Sequence, residues 1–316
     1  MENYKGCIDN QNVAQKAKNY KFGEICASIT VPVWLEKTDW ISYTPRNQNG
    51  SLTCVAQTYA TEMGIIAKQK YGEFVDFSAS FPYQQKESIA YGGCSSTDIY
   101  TIFPKLGNIL ELIMPSQNMH EAEVLAVPRK KYFDDLAMPF KIPRIELPVD
   151  FESLCSTLQV SGKGIMIWFH IGSGEWGLEP IFLNNGISSN HSVTLVDFGL
   201  RNGKKYMRIL DSVDGVYRWI SEDYFKARCF LASYLLVFKK LIVTDDTPKP
   251  VFDGSIISLQ KCLEYEGLFP TNIPKFENYG NITKAAVIAF QKKYNITPSV
   301  GFFGPITRAK ILEIYK

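Results

Sequence analysis

Gln48, Cys54, His191 and Asp211 are side chains of the types that together perform nucleophilic attack on a carbonyl carbon. A cysteine attacks as its thiolate. The first turn of a helix favours that form through unpaired backbone N–H groups and the positive end of the helix dipole. Val55, Tyr59, Met63 and Ile66 recur at steps of four and three, with Ala56, Ala60 and Ala67 between them, so the spacing predicts a helix whose first turn holds Thr53 or Cys54. Gln48, six residues upstream on a loop containing Gly50, brings an amide donor to the same point, where an oxyanion would form. A lone cysteine here is equally the mark of a buried core residue. Only a matching base elsewhere raises it to a nucleophile.

Three histidines are available. His170 sits within the apolar run 164–170 and reads as structural, and His120 lies in the polar segment 117–121 and reads as solvated. His191 differs, because it opens a β-rich run after the turn-like residues 184–190. The next strand, 205–211, follows across a hairpin loop marked by Asn202-Gly203 and ends in Asp211. On paired strands these residues come side by side, so Asp211 can accept a hydrogen bond from the His191 ring and fix its tautomer. That is the base and orienter of a nucleophile triad, with Asp214 as the alternative carboxylate.

The elements that must position these groups change character along the chain. Residues 29–35 read as an extended lead-in interrupted by Pro32. The Cys54 helix should stop at Tyr71-Gly72. Helical segments are expected over 77–86 and 95–106, separated by Tyr91-Gly92-Gly93, whose adjacent glycines permit close approach of another backbone. Residues 115–150 carry five prolines and read as irregular, with a short strand near 141–145. Strands are expected at 164–170, 191–198, 205–211, 216–220 and 232–238. Helices first and antiparallel strands second predict an α+β domain of two packed halves with a cleft between them.

Composition bounds the function. The chain has 316 residues, 46% hydrophobic and 13% aromatic, enough for a real core and about two domains. A formal charge of +2 gives no reason to expect a nucleic-acid or membrane partner. No apolar run approaches the roughly 18 residues of a membrane span, and the first residues lack an apolar signal core. Seven dispersed cysteines without a CxxC pair favour reduced thiols in a cytoplasmic setting. The histidine and cysteine spacings fit no metal-ligand pattern, so neither a metal nor another cofactor is expected.

Gln48-x-Gly50-x-x-x-Cys54 before a helix, then His191-Ser192-Val193-Thr194-Leu195-Val196 and Ile209-Leu210-Asp211-Ser212, resembles the papain-like cysteine peptidases over roughly residues 39–238. The resemblance implies a two-lobed fold. It also implies Cys54 as nucleophile, His191 as general base and acid, Asp211 as the residue orienting His191, and Gln48 with the Cys54 N–H as oxyanion hole. Gly92 and Gly93 match the glycine pair that in this family binds substrate backbone as an added strand. The sequence departs from the family at Ser51, where a disulfide cysteine is usual, and at Val55 and Val213, where tryptophans are usual. Its third triad member is an acid rather than an amide. The roughly 40 residues before the match are too few for a long inhibitory prosegment, so zymogen control of that kind is not expected.

A polar, proline-bearing stretch over 241–252 separates a first domain, 1–240, from a second, 253–316. The second shows apolar helical spacing at Ile256, Leu259 and Leu263, at Ala286, Val287 and Phe290, and at Ile306, Ala309 and Leu312, as in a three-helix bundle. Ser258-Leu259-Gln260-x-x-Leu263, Gly280-x-x-Thr283 and Gly304-Pro305-x-Thr307 are similar to the peptidoglycan-binding domain found on many wall hydrolases. In the repeated turn, Gly280 and Gly304 would allow tight helix entry and Thr283 and Thr307 would bond to N–H groups of the first turn. The two resemblances together imply a peptidase acting on peptide bonds of bacterial peptidoglycan. The expected form is a phage-type endolysin, made in the cytoplasm and acting at the wall after release. Two other readings fit the sequence: a protein-directed peptidase processing virion or host proteins, and a non-catalytic binding or virion structural protein. The oligomeric state is open.

Overall fold

The computed structural model describes residues 7–8, 31–87, 92–177, 181, 183, 186–236, 250–270, 275 and 279–315. Its first described element is a two-residue strand, β1 (Cys7–Ile8). Residues 31–35 run over the surface with Val31, Val33 and Leu35 exposed, while Trp34 stacks on Phe151 at 5.9 Å.

The helix predicted from the apolar spacing is α1 (Cys54–Tyr71), with Thr53 as N-cap and Gly72 closing it at φ 82°. It is buried around nearly its whole circumference, so it belongs between two layers rather than on one. Gly64 makes this possible on one side: a Cβ there would lie 2.5 Å from the Phe74 ring and 2.7 Å from the Val75 carbonyl.

The rest of the helical half is short pieces: α2 (Ser80–Tyr83), strand β2 (Cys94–Ser95), a π-helical turn over Asp98–Ile102 running into α3 (Phe103–Leu106), α4 (Glu121–Ala126) and α5 (Phe133–Ala137). The two longer helices expected over 77–86 and 95–106 are thus broken. Phe77 bridges Leu110 instead, and the Asp98 carboxylate takes the Ser95 and Glu87 N–H groups at 2.6 and 2.7 Å. Helices α4 and α5 lie in the segment read as irregular. The first of them starts where Glu123 accepts the His120 N–H at 2.6 Å, the capping pattern of a helix entry.

The second half is a six-stranded sheet: β3 (Arg144–Leu147), α6 (Phe151–Ser161), β4 (Ile165–Ile171), β5 (Ser189–Arg201), β6 (Lys204–Asp211), β7 (Val216–Ser221), α7 (Glu222–Arg228) and β8 (Cys229–Leu235). The strand order is β3-β8-β4-β5-β6-β7 and every neighbouring pair is antiparallel. Helices α6 and α7 were missing from the sequence reading, although each begins at a side-chain cap: Asp150 accepts the Ser153 N–H at 2.8 Å and Ser221 the Tyr224 N–H at 3.2 Å. The β5–β6 turn is the expected Asn202-Gly203, at φ 51° and 74°. The architecture is the expected α+β one, a helical half and an antiparallel sheet half.

A buried ion pair joins the halves. Glu62 of α1 and Arg144 of β3 are fully enclosed, Arg144 also donates to Ser233 Oγ at 2.8 Å, and the Met166 N–H donates to Glu62 at 3.2 Å. Burial pushes the Glu62 carboxyl up to about 7 against the pull of Arg144.

Beyond residue 250 come α8 (Ile256–Tyr265), α9 (Asn281–Lys293) and α10 (Pro305–Ile314). The expected linker 241–252 lies mostly outside the described residues. Phe252 itself is buried, with its N–H on the Tyr315 carbonyl at 2.9 Å. Two local expectations are corrected. Neither Gly280 nor Gly304 has positive φ, and Thr283 and Thr307 do not cap their helices. Instead Gln260 donates to Thr283 Oγ1 at 3.0 Å and Gln291 to Thr307 Oγ1 at 2.9 Å, so each helix grips the entry of the next. That inward pull turns α10: Thr307 and Ile311 are buried, while Ile306 and Leu312 face solvent.

Candidate active site

The loop before α1 is held rigidly at both ends. Arg46, buried, donates to Gln57 at 2.6 Å, to Glu111 at 2.8 Å and to Ser116 at 2.9 Å. Asn49 and Gly50 then turn the chain at φ 47° and 74°. Between them Gln48 reaches across to the sheet half: its N–H donates to the Ser212 carbonyl at 2.8 Å and its Oε1 accepts from Ser212 Oγ at 2.8 Å. With Oε1 fixed in this way, the Nε2 group is aimed. One of its hydrogens goes to the Ser51 carbonyl at 2.6 Å, and the second remains for another acceptor.

Cys54 is the first residue of α1, so its N–H is among the donors an α-helix leaves unpaired. His191 lies near the start of β5, and the register Thr194↔Leu210 puts Asp211 opposite Val193, one diagonal step from His191 on the same face. The ring uses that step. His191 Nε2 meets Asp211 Oδ1 at 2.7 Å, which leaves Nδ1 as the ring nitrogen for Cys54, whose thiolate charge acts on the ring. Asp211 also accepts the Val213 N–H at 3.0 Å and Arg218 Nε at 2.6 Å. Asp214 makes no such contact with the ring; it accepts from Arg218 Nη2 at 2.6 Å.

The electrostatics follow from this geometry. Burial works against charge on Cys54, but hydrogen bonds from Cys7 and His191, the imidazolium charge and the Ser192 N–H outweigh it and bring the thiol down to about 5. Burial also works against a charged His191, and the Asp211 carboxylate with Cys54 overcomes it, raising the ring to about 9. Asp211 itself is held below the usual carboxylate range against its own burial, by His191 and Arg218. The favoured form of the pair is therefore a thiolate beside an imidazolium.

Three neighbours of the site were not in the sequence reading. Trp176, from the β4–β5 connection, stands edge-on to His191 with ring centroids 5.1 Å apart and covers that ring. Trp176 Nε1 donates to Tyr224 Oη at 2.8 Å, and that hydroxyl donates to Glu175 at 2.8 Å. Arg218 was invisible because nothing in its local sequence distinguishes it from a surface arginine on a strand. Cys7 is the third: β1 runs parallel to β2, pairing Cys7 with Cys94 and Ile8 with Ser95, and Asn190 Nδ2 donates to the Cys7 carbonyl at 3.3 Å. The two glycines expected to bind a strand stand just before this pairing. Gly92 packs so closely on Leu52 that a Cβ would lie 1.9 Å from it. Gly93 spends its own N–H on Tyr83 Oη at 3.1 Å and its carbonyl on Lys86 Nζ at 2.9 Å. Of the other histidines, His170 bonds Asn190 at 2.8 Å and stacks on Phe230, and His120 is exposed at the start of α4.

Comparison with known proteins agrees with this description. Residues 253–311 match the family model described as "Putative peptidoglycan binding domain". Among solved structures the chain is similar to xylellain, a cysteine protease from Xylella fastidiosa, with TM-score 0.59 and 16% identity over 75% of this chain and 97% of that one. It is also similar to procathepsin B from Trypanosoma congolense, with TM-score 0.53 and 13% identity over 65% and 77%. A third is digestive procathepsin L 3 of Tenebrio molitor larval midgut, with TM-score 0.50 and 13% identity over 66% and 74%. No curated protein matches the sequence. The chain thus has a papain-like fold followed by a peptidoglycan-binding-type domain.

Proposed function

We propose that this chain is a cysteine endopeptidase that cleaves peptide bonds in bacterial peptidoglycan, in the manner of a phage-type endolysin. The observation that supports it most is the convergence of Cys54, His191 and Asp211, each from a different element, into a buried thiolate–imidazolium–carboxylate chain. In this reading the Cys54 thiolate attacks an amide carbonyl. The oxyanion accepts hydrogen bonds from the Cys54 N–H and the second Gln48 Nε2 hydrogen. Collapse expels the amine, which takes the proton from His191, and leaves a thioester. His191, now neutral, then deprotonates water for hydrolysis.

The substrate assignment rests on the second domain, because tethering a peptidase to a wall-binding module raises its effective concentration at crosslinks and stem peptides. Clearing of isolated cell walls by the purified protein and by Cys54→Ala tests both parts. Clearing by the wild type alone is expected, with amino- and carboxyl-terminal fragments seen by mass spectrometry. Equal clearing by the two proteins, or none by either, rules the reading out.

A further inference from the structure

The N-terminal strand packs beside the Cys54–His191 pair, between β2 and Asn190. Cys7 is 2% exposed and belongs to the same buried cluster as Cys54, and its thiol is one of the groups that stabilise the Cys54 thiolate. Strand β1 is held on one side by β2 and on the other by Asn190, next in sequence to His191. Two thiols facing one another, one of them beside an imidazolium, form a reactive pair rather than a packing contact. Cys94, the register partner of Cys7, is a poor competitor: burial and then Asp98 push its thiol well above the usual value.

We propose that Cys7 is a resolving thiol for Cys54, so that a hydroperoxide converts the pair to a disulfide that fastens β1 across the cleft and a small thiol releases it. This rests on the reading of Cys54 as a reactive thiolate. A two-residue pairing opens locally at little cost, which admits the peroxide. The Cys54 thiolate attacks the O–O bond, giving Cys54 sulfenic acid and an alkoxide that takes a proton from His191. When β1 reseats, the Cys7 sulfur displaces the hydroxyl as water and the S–S bond forms. In sum, two thiols and one hydroperoxide give a disulfide, one alcohol (or water, from hydrogen peroxide) and one water. Two thiols of an added reductant restore the starting state.

The test uses the full chain treated with hydrogen peroxide near neutral pH, with iodoacetamide labelling of Cys54 and non-reducing peptide mapping as readouts. Labelling of Cys54 should fall by about tenfold or more and return with dithiothreitol, because a disulfide sulfur is not a thiolate. A Cys7–Cys54 linked peptide should appear. In Cys7→Ser, Cys54 should instead give a dimedone-trapped sulfenic acid and then a loss of labelling that dithiothreitol does not reverse. A different disulfide, or a wild-type Cys54 that forms the dimedone adduct as fully as Cys7→Ser, overturns the resolving role while leaving the thiolate reading intact. Absence of neutral-pH labelling in the untreated protein overturns both.

Discussion

Replacing Asp211 by Asn separates the charge of the third triad member from its shape. Three donors converge on Asp211: His191 Nε2 and the Val213 N–H on one oxygen, Arg218 Nε on the other. An amide has one acceptor oxygen. If that oxygen stays with His191 and Val213, the NH2 group opposes Arg218 Nε, donor against donor, in a buried place. A hydrogen bond to a charged group contributes about 1.5–3 kcal/mol, and the amide keeps only part of it. At 1.36 kcal/mol per pKa unit, the imidazolium should lose roughly 1–2 units. The sign is fixed, because the carboxylate stabilises the protonated ring and its removal lowers the His191 pKa from about 9. The descending limb of kcat/KM should therefore move acid by that amount, while the ascending limb, set by Cys54 near 5, should stay. Thiol alkylation rates across pH give the same readout without a substrate. The opposed donors should also lower unfolding free energy by about 1–3 kcal/mol. Asp211→Asn with Arg218→Gln removes the opposition, so stability should largely return while the limb remains shifted. An unmoved descending limb in Asp211→Asn would refute the assignment of the carboxylate as the group that keeps His191 protonated.

Trp176→Ala should let water reach the His191–Asp211 pair and lower kcat, and because it also empties a core position it should lower unfolding free energy by about 3–5 kcal/mol. Trp176→Phe, which keeps an edge-on ring, should retain most of kcat, and equal losses of kcat in the two would argue against shielding. Arg144→Met removes the cation that opposes burial at Glu62, so the carboxyl, already up at about 7, should stay protonated in the variant, and urea unfolding should show a loss that grows as pH rises through and above 7, reaching about 3–5 kcal/mol only on the alkaline side; a loss independent of pH would argue against the pairing. Thr307→Val leaves the buried Gln291 amide short of a partner, and should cost the small domain about 1–3 kcal/mol and weaken sedimentation with cell walls before it affects hydrolysis of a small soluble peptide.

The parts of the fold legible in the sequence were those with a repeating pattern or a distinctive turn. The α1 stripe, the Gly72 stop, the Asn202-Gly203 hairpin and the strand sequence from residue 165 onward all follow from periodicity and turn chemistry. The short helices α4 and α5 were not, because five or six residues between prolines cover fewer than two helical turns and so show no repeating pattern. Helices α6 and α7 are marked in the sequence only by their caps, Asp150 and Ser221. At the site, Gln48, Cys54, His191 and Asp211 could be named because they fall in a fixed order at fixed spacings. Trp176, Arg218 and Cys7 could not, since their positions depend on how the β4–β5 connection, the β7 strand and the N-terminal strand fold onto the same ring. The threonines of the second domain show the opposite failure. A Gly-x-x-Thr turn reads as a helix cap, and only the packing of the preceding helix shows that Gln260 and Gln291 take the threonine hydroxyls.

The Ser212 contacts to Gln48 have a further consequence. The loop that carries the oxyanion donor and the turn that carries the carboxylate are stitched together by two hydrogen bonds across the boundary between the lobes. Gln48, Ser212, Asp211 and His191 therefore behave as one mechanical unit. Should the lobes breathe to admit a bulky ligand, these four groups keep their mutual geometry. An insertion or proline that severs this stitch should produce an enzyme whose rate falls with substrate size, since only large ligands would force the lobes apart.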